Sequence, residues 1–184
     1  MQHSNLNGLH LFQEVIRAVT GYDFVLAGGC VRDALHDKTP KDYDAILCMG
    51  SEDYGRAFEV VQELSERLSI QGIESNCYLA YGVNLGGEIP AGAFEETFLA
   101  CMKTSIAGRD VDLLLSRKPH IADHCIMHDC NLNMVWLDAD KADGYGGVRL
   151  PAAKLEFRPG ICKERVDYIT EKMRGYGYAS SHSV

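Results

Sequence analysis

The chain has no run approaching the roughly 18 consecutive apolar residues that a membrane-spanning helix requires, which argues against a membrane partner. Its opening stretch, MQHSNLNGLHLFQEVI, lacks the charged start and long apolar core of a secretory signal. Cysteine is present but unorganised: seven residues, odd in number, scattered and without a C-x-x-C pair. That pattern fits reduced thiols better than a disulfide framework, and the expected setting is cytoplasmic. Positive charge is scarce too. The formal net charge is -8, so no global field invites a polyanion. Two phosphate-binding signatures are missing: there is no G-x-G-x-x-G and no G-K-[ST] behind a glycine loop.

A 46% hydrophobic and 24% charged composition over 184 residues is that of an ordinary globular chain able to bury one core. Charge is uneven along it. Residues 149–174 hold seven Lys/Arg against four Asp/Glu. This basic segment reads either as a phosphate or nucleic-acid contact or as one solvated helix face, and both readings stay open.

Leu9, Phe12, Val15, Ile16 and Val19 recur at helical spacing and stop at Gly21, a helix with a glycine end. FVLAGG reads as a short buried strand and VRDALHD as a short helix behind it. Asp42 to Met49 forms a second strand. Ser51 is the expected cap of a long helix with Tyr54, Phe58, Val61, Leu64 and Leu68 inward, ending near Gly72. Residues 82–92 read as a mobile loop. Phe98–Ile106 and Val111–Leu115 are expected to pair as a hairpin around Gly108, and Asn133–Leu137 to add a strand. Residues 144–147 read as a glycine-rich turn, Ile161–Met173 as a helix, and ASSHSV as a disordered end. The fold class is α/β (α+β), a mixed sheet backed by helices. A head domain over 1–148 is followed by a basic helical extension and tail over 149–184.

Chemistry concentrates in GGCVRDALHDKTPKDYDAI. Residues two apart in a strand share a face, so Asp42 and Asp44 project together while Tyr43 and Ala45 face away. Paired carboxylates repel unless a cation lies between them, and Mg²⁺ (or Mn²⁺) is the natural one where phosphates share the site. Asp112, an acid between apolar neighbours in GRDVDLLL, offers a third carboxylate, with Asp110 in reserve on the same face. Gly28 and Gly29 let backbone N–H groups approach an anion at a helix start. Arg32, one turn on, can fork onto phosphate oxygens. Asp33 reads as an ion pair or cap organising the glycine loop.

These residues resemble the head-domain signature of class II CCA-adding enzymes and bacterial poly(A) polymerases, within the polymerase-β-type nucleotidyltransferase superfamily. Against G-G-x-V-R-D-x-L-x-G-x-x-x-K-D-x-D-I, the matching positions are Gly28, Gly29, Val31, Arg32, Asp33, Leu35, Lys41, Asp42 and Asp44. VDLLLSR is similar to the family's V-E-V-x-T-x-R, with Asp112 and Arg117 in register. HDCNLNMVWLD is similar to R-D-F-T-I-N-A-x-x-x-D at Asp129, Asn133 and Asp138, with Leu132 a conservative match. The resemblance covers roughly residues 24 to 138. It implies an NTP substrate, ATP or CTP, with Asp42, Asp44 and Asp112 catalytic and Asp42 and Asp44 binding the metal. Gly28, Gly29, Arg32, Arg117, Asp129 and Asn133 then contact the nucleotide. The implied reaction moves NMP to an acceptor hydroxyl, an RNA or tRNA-like 3′ end in RNA processing. A protein acceptor, or an inactive nucleotide-binding module, is the alternative.

The sequence departs from that pattern in several places. Ala45 replaces isoleucine, His36-Asp37 replaces leucine-glycine, Met127-His128 stands where the family has arginines, and Cys130-Asn131 replaces Phe-Thr. Of the family's base-reading E-D-x-x-R motif only a faint echo remains in Lys163-Glu164-Arg165 with Asp167, so base selectivity and tRNA grip are not carried over. His120, His124 and His128, with Cys125 and Cys130 nearby, read either as a soft-metal cluster or as a polar helix face lining the cleft. Trp136 and the tyrosines read as core or as stacking platforms.

Overall fold

The structure, a computed structural model, describes residues 4–50, 53–79, 93–150 and 152–178. The expectations placed on Ser51, on 82–92 and on 179–184 lie outside the described residues.

Helix α1 (Ser4–Thr20) buries Leu6, Leu9, Phe12 and Ile16 as one stripe, while Val15 turns outward at 39% exposure. The helix stops because the Thr20 Oγ1 hydroxyl donates back to the Ile16 carbonyl at 2.7 Å and Gly21 takes a left-handed φ of 75°. Strand β1 (Val25–Ala27) then leads through Gly28 into the short helix α2 (Gly29–Leu35), and β2 (Tyr43–Cys48) follows. Helix α3 (Tyr54–Ile70) is capped by Asp53, whose carboxylate accepts from Gly55 N at 2.8 Å and Arg56 N at 3.2 Å. Its inward stripe is Ala57, Val60, Val61, Leu64 and Leu68. Phe58 is 42% exposed, because at about 100° per residue it sits a quarter-turn from the centre of that stripe.

Strands β3 (Ser75–Leu79), β4 (Phe98–Ile106) and β5 (Arg109–Ser116) come next, with a single helical turn α4 (Phe94–Thr97) ahead of β4. The β4–β5 hairpin turns through Ala107 and Gly108, at φ 50° and 73°. Two consecutive positive φ values match the right-handed twist of the strands. After α5 (Ile121–Cys125), the stretch Asn131–Asn133 forms a 3₁₀ turn, so β6 is only Val135–Leu137.

Residues 144–147 are not the turn expected from sequence: Tyr145–Gly147 is β7, paired antiparallel with β6. Glycine is needed there for packing. At Gly147, with φ 96°, a Cβ would fall within the Met134 carbonyl oxygen and 3.0 Å from the Trp136 ring. Gly147→Ala is therefore expected to cost at least about 2 kcal/mol and to lower the melting temperature by roughly 5 °C or more. Gly72→Ala is the control, sharing a positive φ of 71° with nothing within 4 Å of the added Cβ. Equal melting temperatures for the two variants would remove the clash argument.

The seven strands form one sheet in the order β3-β4-β5-β2-β1-β6-β7. Only β2 and β5 run parallel; the other neighbours are antiparallel. Tyr43, Ala45, Val111, Leu113 and Leu115 face the main core with α1 and α3. Each such fully buried aliphatic side chain contributes roughly 1.5–3 kcal/mol. Helix α6 (Lys163–Arg174) packs Ile169 and Met173 into a smaller core with Cys130, Leu132, Leu155 and Tyr178. The stretch read as a C-terminal extension thus folds back on the segment before β6. Arg158 forks onto Glu96 with two 2.9 Å bonds, and Lys38 donates to the Gly175 carbonyl at 2.7 Å. Among the described residues no helix is long and apolar enough to cross a membrane.

Candidate active site

The strand register brings the acidic residues together. Asp44 on β2 lies directly opposite Asp112 on β5, and Asp112 lies opposite Lys103 on β4. The row continues through Ala27 and Trp136 on the other side of Asp44. Cross-strand partners point to the same face, so Lys103, Asp112 and Asp44 stand side by side on the sheet face opposite the main core. Asp42, just before β2, joins them at the rim and is exposed.

This crowding shows in the titration of Asp44. Burial first, then the charges of Asp112 and Asp42, raise its pKa to about 6, against a smaller opposing pull from Lys103 and Lys172. Lys103 Nζ lies 3.2 Å from Asp112 Oδ2, and that bond and charge raise the ammonium pKa. Two hollows share these carboxylates. One, of 590 Å³, runs from Asp44, Asp112 and Lys103 to an apolar end at Phe94, Phe98 and His124. The other, of 600 Å³, opens on the opposite side towards Asp42, Asp110 and Glu74.

Among the described residues no three His, Cys, Asp or Glu side chains converge tightly enough to form a preformed metal cage. The donor set nonetheless suits Mg²⁺. It consists of hard carboxylate oxygens, one of them held at a raised pKa by burial and then by its like-charged neighbours, and Mg²⁺ commonly takes one or two carboxylates and completes its shell with phosphate and water. The soft-metal reading of the histidines finds no such support. His120 is exposed and precedes α5, while only His124 and His128 turn towards the cleft, with rings 5.4 Å apart. Burial, then His128 and Lys118, lower the His124 pKa to about 3, and burial lowers that of His128 as well.

The residues assigned to the nucleotide fall in three places. Gly28, with φ 71°, borders the cleft through His128, whose Cε1 would lie 2.9 Å from a Cβ there; its N–H donates to the Val135 carbonyl at 2.8 Å. Gly29 opens α2 beside it. Arg32 is 2% exposed and is held within the protein. Its Nε donates to Asp33 Oδ1 at 2.9 Å and its Nη1 to Asn133 Oδ1, while its Cζ lies 5.0 Å from the Tyr176 ring centroid. Tyr176 also donates to Asp33 Oδ1, at 2.8 Å. Asp33 thus organises the glycine loop by an ion pair. Asp129 Oδ2 accepts from Arg165 Nε at 2.5 Å. Arg117 lies five residues beyond Asp112, roughly 17 Å along an extended chain. It donates to the Glu95 carbonyl at 3.0 Å and the Tyr54 hydroxyl at 2.5 Å, and pairs with neither Asp110 nor Asp112. In this geometry Arg32, Asn133 and Asp129 brace the loop between α2 and α6.

Sequence reasoning missed Lys103, although the signal was available. A two-residue turn at Ala107-Gly108 pairs 106 with 109 and therefore 103 with 112. It also missed the place of Lys172, close enough to act on Asp44 through space, and the cleft-lining roles of Phe94 and Phe98.

No protein-family model matches the chain, and no curated protein matches it. Among solved structures, the Thermotoga maritima CCA-adding enzyme complexed with tRNA is similar at 16% identity over 95% of this chain and 40% of that one, with a TM-score of 0.48. A tRNA nucleotidyltransferase complexed with a primer tRNA and an incoming ATP analog gives 19% identity, 79% and 34% coverage, and a TM-score of 0.40. A CCA-adding enzyme with ATP gives 16%, 79%, 32% and 0.45. The chain spans between about a third and two fifths of the length of these proteins. At such identities and scores nothing about activity passes from them to this chain.

Proposed function

We propose that the chain is a metal-dependent nucleotidyltransferase moving a nucleoside monophosphate from an NTP, ATP or CTP, to the 3′ hydroxyl of an RNA. The observation that carries this reading is the register of Asp44 against Asp112 at one end of a 590 Å³ cleft, with Asp42 at the rim. The resemblance of the surrounding motifs to those of CCA-adding enzymes supports giving these three acids the catalytic and metal-holding roles. Asp42 and Asp44 would hold Mg²⁺, which supplies charge neutralisation at the attacking and leaving oxygens.

The chain's own part is positioning and proton transfer. Lys103 occupies Asp112 Oδ2, leaving Oδ1 to take the proton of the acceptor hydroxyl. The hydroxyl oxygen of the acceptor bonds to the α-phosphorus as the bond from the α-phosphorus to its bridging oxygen breaks, and pyrophosphate leaves with the electron pair. Gly28, which reaches the cleft only through His128, and Gly29 beside it would border the phosphates as their motif implies. Arg32 acts at one remove, by fixing that loop through Asp33 and Asn133.

The test is transfer of label from each α-³²P NTP to RNA with Mg²⁺, beside an Asp42→Ala/Asp44→Ala variant. Label on RNA from the wild type alone is expected. Label on polypeptide would move the acceptor to a protein. Binding without any transfer would make the chain a nucleotide-binding module.

A further inference from the structure

The apolar end of the cleft contains a buried imidazole nitrogen that no described residue satisfies. His124 is fully buried, and its Nδ1 lies 2.8 Å from Ser116 Oγ. Ser116 Oγ already accepts the Lys118 N–H at 3.2 Å, so its own hydrogen is free to point at Nδ1. In the tautomer in which Ser116 donates to Nδ1, the imidazole hydrogen sits on Nε2. Nε2 has no partner. Buried polar groups are paired in nearly all native structures, and an exception points to a function. Burial keeps the ring neutral well below physiological pH, so the group offers a donor without a charge.

Its surroundings narrow the ligand. Phe94 and Phe98 stack at 5.0 Å with 28° between their planes, and the Phe98 ring lies 5.3 Å from that of His124. Ile46, Leu114 and Cys101 complete the apolar wall, and the carboxylates stand at the other end of the same 590 Å³ cleft. Aromatic walls with one placed donor suit a flat heterocycle bearing a ring nitrogen or carbonyl acceptor. A nucleotide has that polarity, with a stacking base at one end and phosphates at the other.

We infer that the Phe94–Phe98–His124 end of the cleft is a nucleobase pocket, in which His124 Nε2–H donates to an acceptor on a base stacked against the phenylalanines. This rests on the carboxylate cleft being the nucleotidyl-transfer site. The base comes either from the NTP or from the terminal nucleotide of the RNA.

Calorimetric titration of the full chain with Mg²⁺ separates these sources. One pair of probes is each NTP against ribose 5-triphosphate, which lacks a base. The other is a short RNA with an intact 3′ nucleotide against the same RNA with an abasic 3′ end. In one pair the base-bearing probe is expected to bind at least about tenfold more tightly. That ratio should fall to within about twofold in His124→Phe, which fills the ring's place without the donor, and in Phe98→Leu. The pair that responds identifies the source. If His124→Phe does not fold, Phe98→Leu decides alone. Equal binding of both members of each pair to the wild type, no binding at all, or ratios unchanged in folded variants would overturn the pocket. Base-dependent binding without any transfer of label would leave the pocket standing and remove the activity. Transfer with unchanged ratios would do the reverse.

Discussion

Asp44→Asn is expected to stabilise the protein while abolishing its activity. Loss of solvent around the half-buried Asp44 carboxyl, and then repulsion from Asp112 and Asp42, pushes its pKa up from the ordinary 3.8 to about 6. With the folded-state pKa raised, the native protein binds more protons than the unfolded chain between about pH 4 and 6. Stability contributed by this group is therefore full below about pH 4 and is lost as pH rises through 6. The cost at neutral pH is about 3 kcal/mol at most. Asparagine keeps the shape and cannot ionise. Its melting temperature should match that of the wild type near pH 4 and exceed it by roughly 5 °C at pH 7.5, with the gap opening between those values. Mg²⁺ should narrow the gap by stabilising the wild type in preference to the variant, since a ligand that binds only the folded state at a hundred times its Kd adds about 2.7 kcal/mol. Transfer of label should fall by more than the ten- to hundredfold usual for an outer-sphere partner of a metal. A variant no more stable than the wild type at pH 7.5 would mean that the three carboxylates are not crowded in solution.

The acid cluster was legible because it depends on the shortest-range rule in the fold. Period-two alternation places Asp42 with Asp44, and a two-residue turn fixes which β4 residue meets which β5 residue. What required the structure was the parallel pairing of β2 with β5, a contact between segments separated by α3, β3 and β4, which no local pattern encodes. The turn expected at 144–147 failed for a related reason. Glycines in a three-residue edge strand look like turn residues until Trp136, on the neighbouring strand, is seen to cover them. Phe58 keeps helical spacing with Tyr54 and Val61, yet the buried stripe of α3 is centred a quarter-turn away, on Ala57, Val60, Leu64 and Leu68. His124 was noticed for its spacing from His120 and His128. Its importance lies in Ser116 and the two phenylalanines, which are distant from that spacing. Arg32 is the sharpest difference. Its motif position implies a phosphate contact, yet burial of a guanidinium among Asp33, Asn133 and Tyr176 depends on α6 and the residues after it folding back, which the motif itself does not contain.

Arg32→Ala is expected to damage the fold more than it damages nucleotide affinity. The guanidinium is 2% exposed and the Asp33 side chain 13%. Deleting one partner of such a pair leaves the other charge buried and unanswered, a change worth about 3–5 kcal/mol. The loss should appear as a melting temperature lower by roughly 10 °C in a chain of this size. Asp33→Ala should cost a similar amount, and the double variant much less than the sum, because the second deletion removes the charge stranded by the first. Arg32→Lys should recover only part of the stability, since an ammonium cannot bond Asp33 and Asn133 with the planar fork they receive now. Nucleotide affinity, measured well below each variant's melting temperature, should change by less than tenfold. The opposite pattern, near-normal melting with a hundredfold or greater loss of affinity confined to triphosphates, would put Arg32 on the substrate. It would also require the network with Asp33, Asn133 and Tyr176 to open when nucleotide binds. The two results separate cleanly because the same atoms cannot be both the buried brace of the Gly28–Gly29 loop and a free phosphate fork at the same moment.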